Sequence, residues 1–361
     1  MKPIKVLIID DSSVIRAVIN EVLKDDPEIE VVGEAKDPMI AREQIKKLNP
    51  DVLTLDIEMP KMDGITFLKN LMRLHPMPVV MLSTLTTKGA DITLQALEIG
   101  AVDFIAKPSF EALIANKSTF QETLLRKIKF AATVDNKNFR LNSALSKPLV
   151  AGLLLFKGCQ RSNHLVAIGA STGGTEAIKA IITALPSNSP AVVITLHIPK
   201  IFSARYAQRM NENCAVDVQE ARHGQKIKAG NVYIAPGNLH LKVESKGGAL
   251  FCILEDSSDV NRHKPAVDVL FNSLLPLANN VQAVLLTGMG QDGAKGLLNL
   301  KNAGAMTIIQ DKASSLIWGM PGSAHALNAQ VKECSLVTIP KEILAHAAVD
   351  RKSKKEVFYE K

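Results

Sequence analysis

The chain is poor in cysteine. Cys159, Cys214, Cys252 and Cys334 are its four, and no two form a C-x-x-C pair. Such scatter argues against a zinc site and against a disulfide framework, and it fits reduced thiols in a cytoplasmic protein. A run of 18 or more apolar residues is lacking too, so no membrane-spanning helix and no direct membrane insertion are expected. The N-terminus, MKPIKVLIIDDSS, turns acidic where a secretory signal needs an apolar stretch and a small-residue cleavage site. Internal repeats and low-complexity tracts are also absent. What is present is ample apolar material, 47% of 361 residues. That excludes global disorder and predicts two domains.

The formal net charge of +7 first suggests a nucleic-acid partner. Its distribution argues otherwise. Residues 1–115 hold 13 Lys/Arg against 18 Asp/Glu, residues 116–165 hold 9 against 2, and residues 166–361 hold 21 against 16. The excess sits in a middle stretch and in a basic tail rather than on one folded face, so no nucleic-acid partner is expected.

Residues 1–120 alternate short apolar runs (KVLIID, EVVGEA, VLTLD, VVMLST, DFIAK) with stretches of helical period. That alternation predicts a doubly wound parallel sheet. Residues 121–163 read as a basic interdomain linker, with Gln121–Ala131 able to extend a helix and Leu149–Phe156 strongly apolar. From residue 164 to 347 the alternation resumes, with strands expected at LVAIG, AVVITL, VQAVLLT and MTIIQ. Val232–Ala235 and His240–Val243 read as a β pair around Pro236-Gly237. Residues 348–361 form a basic tail. The fold class is therefore α/β, with two doubly wound parallel-sheet domains.

In open α/β sheets ligands gather at the carboxyl ends of the strands. In the first domain those ends carry Asp10-Asp11, Asp56, Ser83-Thr84 and Lys107-Pro108. Crowded carboxylates raise one another's pKa, a divalent cation removes that penalty, and an all-oxygen site suits Mg²⁺. A carboxylate there is a competent nucleophile toward phosphorus, with a lysine and a hydroxyl to meet the phosphoryl oxygens. Any one strand-end acid is ordinarily a cap or a solvated loop charge; five such positions at the expected ends are harder to dismiss. With DIEMPKMDG after the third strand, residues 1–120 resemble a response-regulator receiver domain, a flavodoxin-like fold. The resemblance implies that Asp10 and Asp11 are the acidic pair, Asp56 the phospho-acceptor, Ser83 the hydroxyl, Lys107 the lysine before a cis-prone Pro108, and Phe104 the aromatic switch position. It further implies Mg²⁺ held by Asp11, Asp56 and the backbone carbonyl of Glu58, and a histidine kinase as phosphodonor.

In the second domain LVAIG runs into Ala170-Ser171-Thr172-Gly173-Gly174 and then a helix. The glycine-rich turn suggests phosphate binding, but G-A-S-T-G-G is not G-x-G-x-x-G, and the next strand ends in His197 rather than an acid. A nucleophile fits better. Ser171, His197 and Asp292 lie at or just beyond three strand ends. A serine needs a neutral imidazole to take its proton, and a carboxylate fixes the tautomer of that imidazole. Backbone N–H groups at a helix start can hold an oxyanion. Each residue alone has an ordinary structural explanation; the shared sheet edge is what joins them.

LVAIGASTGGTEAI, LHIP, VYIAPGNLHL, LLTGMGQDGAKGL and IIQDKASSLIWGMPGSA follow in order. Together they resemble the catalytic domain of the CheB family of chemotaxis protein-glutamate methylesterases/glutaminases, Rossmann-like in fold. The resemblance implies that Ser171, His197 and Asp292 are nucleophile, base and orienting acid, with Thr172, Gly173 and Met289 beside the oxyanion. It implies hydrolysis of glutamate γ-methyl esters on chemoreceptors with release of methanol, deamidation of receptor glutamines, no cofactor for the hydrolase step, and opening of a receiver-covered crevice on phosphorylation of Asp56. Leu196, Ile198, Asn238 and SAHAL depart from the usual pattern, which bears on substrate preference. Two rivals are a DNA-binding response regulator, which needs a helix-turn-helix where a second α/β sheet is read, and a non-catalytic receptor adaptor, which would not need all three triad residue types.

Overall fold

A computed structural model describes residues 2–59, 62–84, 86–107, 110–134 and 164–348. Pro108, the apolar stretch Leu149–Phe156 and residues 349–361 of the tail lie outside the described residues. Two units, residues 1–146 and 147–361, are separately compact.

In the first unit β1 (Ile4–Ile9), β2 (Ile29–Ala35), β3 (Val52–Asp56), β4 (Val79–Ser83) and β5 (Asp103–Ala106) pair in the order β2-β1-β3-β4-β5, all parallel. Every residue of β3 and β4 is buried. Helices on both faces account for strands that read as continuous apolar runs. The helices are α1 (Ser13–Leu23), α2 (Pro38–Leu48), α3 (Gly64–Leu74), α4 (Thr87–Ile99) and α5 (Phe110–Ala131). Polar caps start several of them: Ser12 accepts from the Ile15 N–H, Asp37 from the Met39 and Ile40 N–H groups, and Asp63 from the Thr66 N–H. α5 runs on past residue 120, because Leu124, Ile128 and Ala131 are fully buried. Part of the stretch read as linker is thus a packed helix.

In the second unit seven strands form one sheet. They are β6 (Leu165–Ala170), β7 (Ala191–Leu196), β8 (Asp217–Glu220), β10 (Asn231–Ile234), β13 (Val281–Leu285), β14 (Met306–Gln310) and β15 (Lys332–Cys334). Their order is β15-β14-β13-β6-β7-β10-β8, and every pairing is parallel. β6, β7 and β13 are buried along their whole length. The flanking helices include α6 (Gly174–Ile182), α7 (Lys200–Asn213), α8 (Val267–Ser273), α9 (Ala294–Asn302), α10 (Met320–Ala326) and α11 (Ile339–Ala347).

A small antiparallel sheet, β9 (Gln225–Lys226), β11 (His240–Lys246) and β12 (Ala249–Glu255), is an addition that strand–helix alternation does not announce. It also corrects the expected β pair. Val232–Ile234 pairs with β7 and β8 in the parallel sheet, while His240–Lys246 pairs antiparallel with β12. The reason lies in burial: the last three residues of β10 are buried, whereas β11 becomes exposed along its second half. Asn238, on the connection between them, has φ 69°; asparagine is among the few residues other than glycine that tolerate the left-handed region.

Candidate active site

Two groups of polar side chains stand at the carboxyl ends of the two sheets. In the first unit Asp10, Asp11 and Asp56 each offer an oxygen, all within 4.8 Å of one another. Asp10 and Asp56 are buried and Asp11 is exposed. Lys107 Nζ lies 2.8 Å from Asp10 Oδ2 and 2.8 Å from Asp56 Oδ1. Burial opposes the charge on Lys107, but its two carboxylate partners win and raise its pKa. Burial also pushes the Asp56 carboxyl up, to about 6, and the neighbouring Asp10 adds to this while Lys107 resists it.

The loop after β3 is shaped around that acid. The Glu58 N–H approaches Asp56 Oδ1 at 3.3 Å. A Cβ on Gly64 would stand 2.1 Å from the Asp56 carbonyl oxygen, so the glycine of DIEMPKMDG admits α3 beside the end of β3. Phe104 is buried, with Lys127 Nζ 5.2 Å from its ring centroid. Ser83 is buried at the end of β4. Three carboxylates around one lysine leave more negative than positive charge, and an oxygen-only donor set of this kind suits Mg²⁺.

The raised pKa of Asp56 has a measurable consequence in buffer free of divalent cations. The folded state binds the proton more tightly than the unfolded chain, whose carboxyl titrates near 3.8. That contribution is present at low pH and lost as pH rises from about 4 through 6. Ionised Asp56 then costs the fold about 1–3 kcal/mol, a cost an amide does not carry. Asp56→Asn is therefore expected to raise the unfolding midpoint of the first unit at pH 7.5, with the gain fading to nothing near pH 4. Thermal melts across that range check it, and an equal gain at both ends would refute it.

In the second unit the chain runs from β6 outward to β7 and returns later to place β13 on the other side of β6. The point where direction reverses opens the crevice in which doubly wound sheets place their ligands. Ser171 follows β6 directly. Its N–H donates to the Thr287 carbonyl at 3.1 Å, and its carbonyl accepts from the Gly174 N–H at 2.7 Å. Gly173 takes φ 76° and precedes α6; a Cβ there would meet Leu316 Cβ at 2.8 Å. Thr172 is buried, and its carbonyl lies 3.1 Å from Thr287 Oγ1. Thr287 Oγ1 also accepts from the Ile317 N–H at 2.9 Å, which ties the Ser171 turn to the loop leading into α10. Met289 is buried in the turn after β13.

Gly288 is pressed against the Ser171 turn. A Cβ at Gly288 would stand 2.8 Å from Ser171 Cβ and 2.3 Å from Met320 Sδ. Gly288→Ala is therefore expected to displace the serine, lowering hydrolysis by tenfold or more and stability by about 1–3 kcal/mol. Ester turnover and a thermal melt check it together; wild-type turnover in the variant would contradict the contact.

His197 follows β7, and its N–H donates to the Ala170 carbonyl at 3.2 Å. Its Nε2 lies 2.8 Å from Asp292 Oδ2. An ionised carboxylate only accepts, so Nε2 carries a proton, and in the neutral ring the lone pair falls to Nδ1. Nδ1 is buried without a hydrogen-bond partner among the described residues. The two ring nitrogens thus exchange the roles they hold in chymotrypsin-like proteases.

Asp292 is buried beneath that ring. Its Oδ2 also accepts from the Val267 N–H at 2.6 Å, and its Oδ1 accepts from Asn261 Nδ2 at 2.7 Å and the Asp268 N–H at 3.1 Å. Burial alone would raise its pKa, but His197, Asn261 and the Val267 N–H outweigh burial and hold the carboxyl at about 2. It is ionised at every pH at which the protein would work.

The structure therefore brings Ser171, His197 and Asp292 to adjacent strand ends, with Thr172, Gly173 and Met289 on the same turns. It also supplies residues that sequence reasoning did not mark. Asn261 bridges Asp292 and Asp268, donating to the latter at 2.8 Å. The ring of His263 stacks on His197 with centroids 3.7 Å apart and planes 13° from parallel. Both belong to the segment NRHKPAVD, which lies about 30 residues before Asp292 and more than 60 after His197 in the chain. The cluster of Asn, His and Asp was the available signal, but nothing in spacing says which partners it meets.

Residues 166–343 match the family described as CheB methylesterase, and residues 6–117 match the response regulator receiver domain. The protein-glutamate methylesterase/protein-glutamine glutaminase of Hydrogenovibrio crunogenus is 49% identical over 373 residues, covering 96% of this chain and 99% of its own. A relative of the same description from Saccharophagus degradans is 50% identical over 350 residues, with 96% and 99% covered. The crystal structure of the Thermotoga maritima CheB methylesterase catalytic domain superposes with a TM-score of 0.50 at 34% identity, covering 52% of this chain and all of that one.

Proposed function

Because this chain belongs to the CheB methylesterase family and carries a receiver domain, we propose that it is a phosphorylation-regulated serine hydrolase of chemotactic adaptation. Its substrate is the γ-methyl ester of glutamate on chemoreceptors, and methanol is released. The observation that carries the reading is the His197–Asp292 pair: a protonated Nε2 bonded to an ionised acid leaves a buried, partnerless Nδ1 at the strand end next to Ser171.

The chemistry follows from that tautomer. Nδ1 takes the Ser171 proton as Oγ attacks the ester carbonyl. N–H groups on the turns of Thr172–Gly173 and Met289 hold the oxyanion. Collapse breaks the ester C–O bond, and the His197 proton leaves with methanol. Water, deprotonated by the same nitrogen, attacks the acyl-enzyme and frees the glutamate carboxylate and Ser171. With a glutamine the leaving group is ammonia. Asp292 stabilises the imidazolium at both steps without itself taking a proton.

In the receiver, Asp56 is the phospho-acceptor, with a histidine kinase as donor. Asp11, Asp56 and the Glu58 carbonyl would hold Mg²⁺, with Asp10 beside them. Once bound, that ion neutralises the carboxylates and the incoming phosphoryl oxygens. Lys107 takes one phosphoryl oxygen, and Ser83 donates to another. The boundaries that fit this reading are residues 164–347 for the hydrolase and, for the receiver, an end past the expected residue 120, at the end of α5, Ala131. Among the described residues no helix is long and apolar enough to cross a membrane, which fits work at the cytoplasmic ends of receptors.

The test is methanol release from methylated receptor with and without acetyl phosphate and Mg²⁺. Acetyl phosphate should raise the rate of the wild type and leave that of Asp56→Asn unchanged. No methanol from the wild type would overturn the hydrolase reading; equal rates with and without donor would overturn the regulatory one.

A further inference from the structure

One buried hydroxyl has no place in the chemistry above. Thr93 lies on α4, fully buried, with Oγ1 2.6 Å from Ser83 Oγ and 2.7 Å from the Gly89 carbonyl. Ser83 Oγ has two longer contacts, 3.3 Å to the Gly89 carbonyl and 3.3 Å to the Thr84 carbonyl. Each hydroxyl has one proton, and a carbonyl can only accept. Two arrangements satisfy the group. Thr93 donates to Gly89 at the short distance and Ser83 donates to Thr93, or Thr93 donates to Ser83 and Ser83 donates to a carbonyl at 3.3 Å. In both, the Ser83 proton points to α4 and the loop before it. Asp56, at the neighbouring strand end, receives none of it.

We infer that Thr93 is a latch on the phosphorylation switch, a positioning residue that holds the Ser83 hydroxyl toward α4 until a phosphoryl group on Asp56 competes for its proton. The inference rests on the receiver reading and extends it to the regulation of that site. Release has a definite cost. The latch is the first arrangement: Ser83 must give up its one buried neutral hydrogen bond to Thr93, and Thr93 keeps its own bond to Gly89. It also has a mechanical consequence, because the end of β4 is then no longer tied to the second turn of α4. Valine at position 93 keeps the branched shape and removes the competing oxygen. Serine keeps the oxygen.

The experiment uses the full chain and an equilibrium probe, the beryllium trifluoride anion with Mg²⁺, a stable mimic of a phosphoryl group. Its Kd is measured by calorimetry for wild type, Thr93→Val, Thr93→Ser, Ser83→Ala and the Ser83→Ala/Thr93→Val pair. Thr93→Val is expected to bind three- to tenfold more tightly than wild type, the size of one neutral hydrogen bond. Thr93→Ser should bind like wild type. In the Ser83→Ala background the valine should change nothing, since the two residues act through one bond. Methanol release without phosphodonor should not fall in Thr93→Val. Should Thr93→Val fail to fold in a thermal melt, Thr93→Ala takes its place. An unchanged or weakened Kd, or a gain that persists without Ser83, overturns the latch alone. A wild type that does not bind the probe removes the receiver reading and the latch with it.

Discussion

Replacing Ser171 with alanine is expected to lower methanol release by on the order of 10⁴- to 10⁶-fold, leaving the fold intact. The size follows from what is removed. Without Oγ no acyl-enzyme forms, and the buried lone pair on His197 Nδ1 has no nucleophile to deprotonate except water at an unprepared position. What survives is the contribution of the oxyanion donors and of substrate binding. The fold should tolerate the change because the bonds that shape the turn, from the Ser171 N–H to Thr287 and from the Gly174 N–H to Ser171, are both made by the backbone. Initial rates of methanol release, with a thermal melt alongside, decide it. A fall of less than tenfold in a folded protein would mean that another residue is the nucleophile.

Asp292→Asn should cost about 10⁴-fold in kcat with little change in KM, by a different route. The carboxylate accepts four hydrogen bonds: from His197 Nε2, Asn261 Nδ2 and the N–H groups of Val267 and Asp268. An amide offers one acceptor oxygen, and its NH₂ group must face donors. If the oxygen takes the place of Oδ1, facing Asn261 Nδ2 and the Asp268 N–H, the NH₂ takes that of Oδ2, meets His197 Nε2 and draws the lone pair to that nitrogen. Nδ1 then carries the proton and cannot act as base. The same substitution removes stability with a defined pH dependence. Asp292 titrates at about 2 when folded, against 3.8 for a free aspartate. Its contribution is present above about pH 4 and is lost as pH falls through 2. The gap between wild-type and variant melting midpoints should therefore be largest at neutral pH and close in strong acid. A gap that stays constant down to pH 2 would contradict an ionised Asp292.

How much of this was legible in the chain depends on the kind of contact. Buried parallel strands announce themselves as apolar runs, and the residue just past each run lies at a ligand-facing edge. That rule reaches Asp10, Asp56, Ser83, Lys107, Ser171 and His197 without a structure. It fails for the segment 261–268, which is neither strand nor regular turn and contributes through loop backbone and ring stacking. It fails again for the pairing of β10 and β11. A Pro-Gly between two apolar stretches looks like a hairpin, but the partners are chosen by which strand has both faces covered. Thr93 is invisible for a related reason: a threonine inside a helix carries no spacing signal, and only packing brings its hydroxyl to Ser83.

The α/β class and the residues at the strand ends were legible in the sequence alone, because hydrophobic periodicity and strand-end chemistry are local properties, and the family was legible in its motifs. Which nitrogen of His197 faces Asp292, how Asp292 stays ionised while buried, and which groups surround the Ser83 hydroxyl were decided only by the tertiary structure. His197 and Asp292 are 95 residues apart and Ser83 and Thr93 are 10 apart, no local pattern pairs them, and a hydrogen bond is set by distance and direction in space.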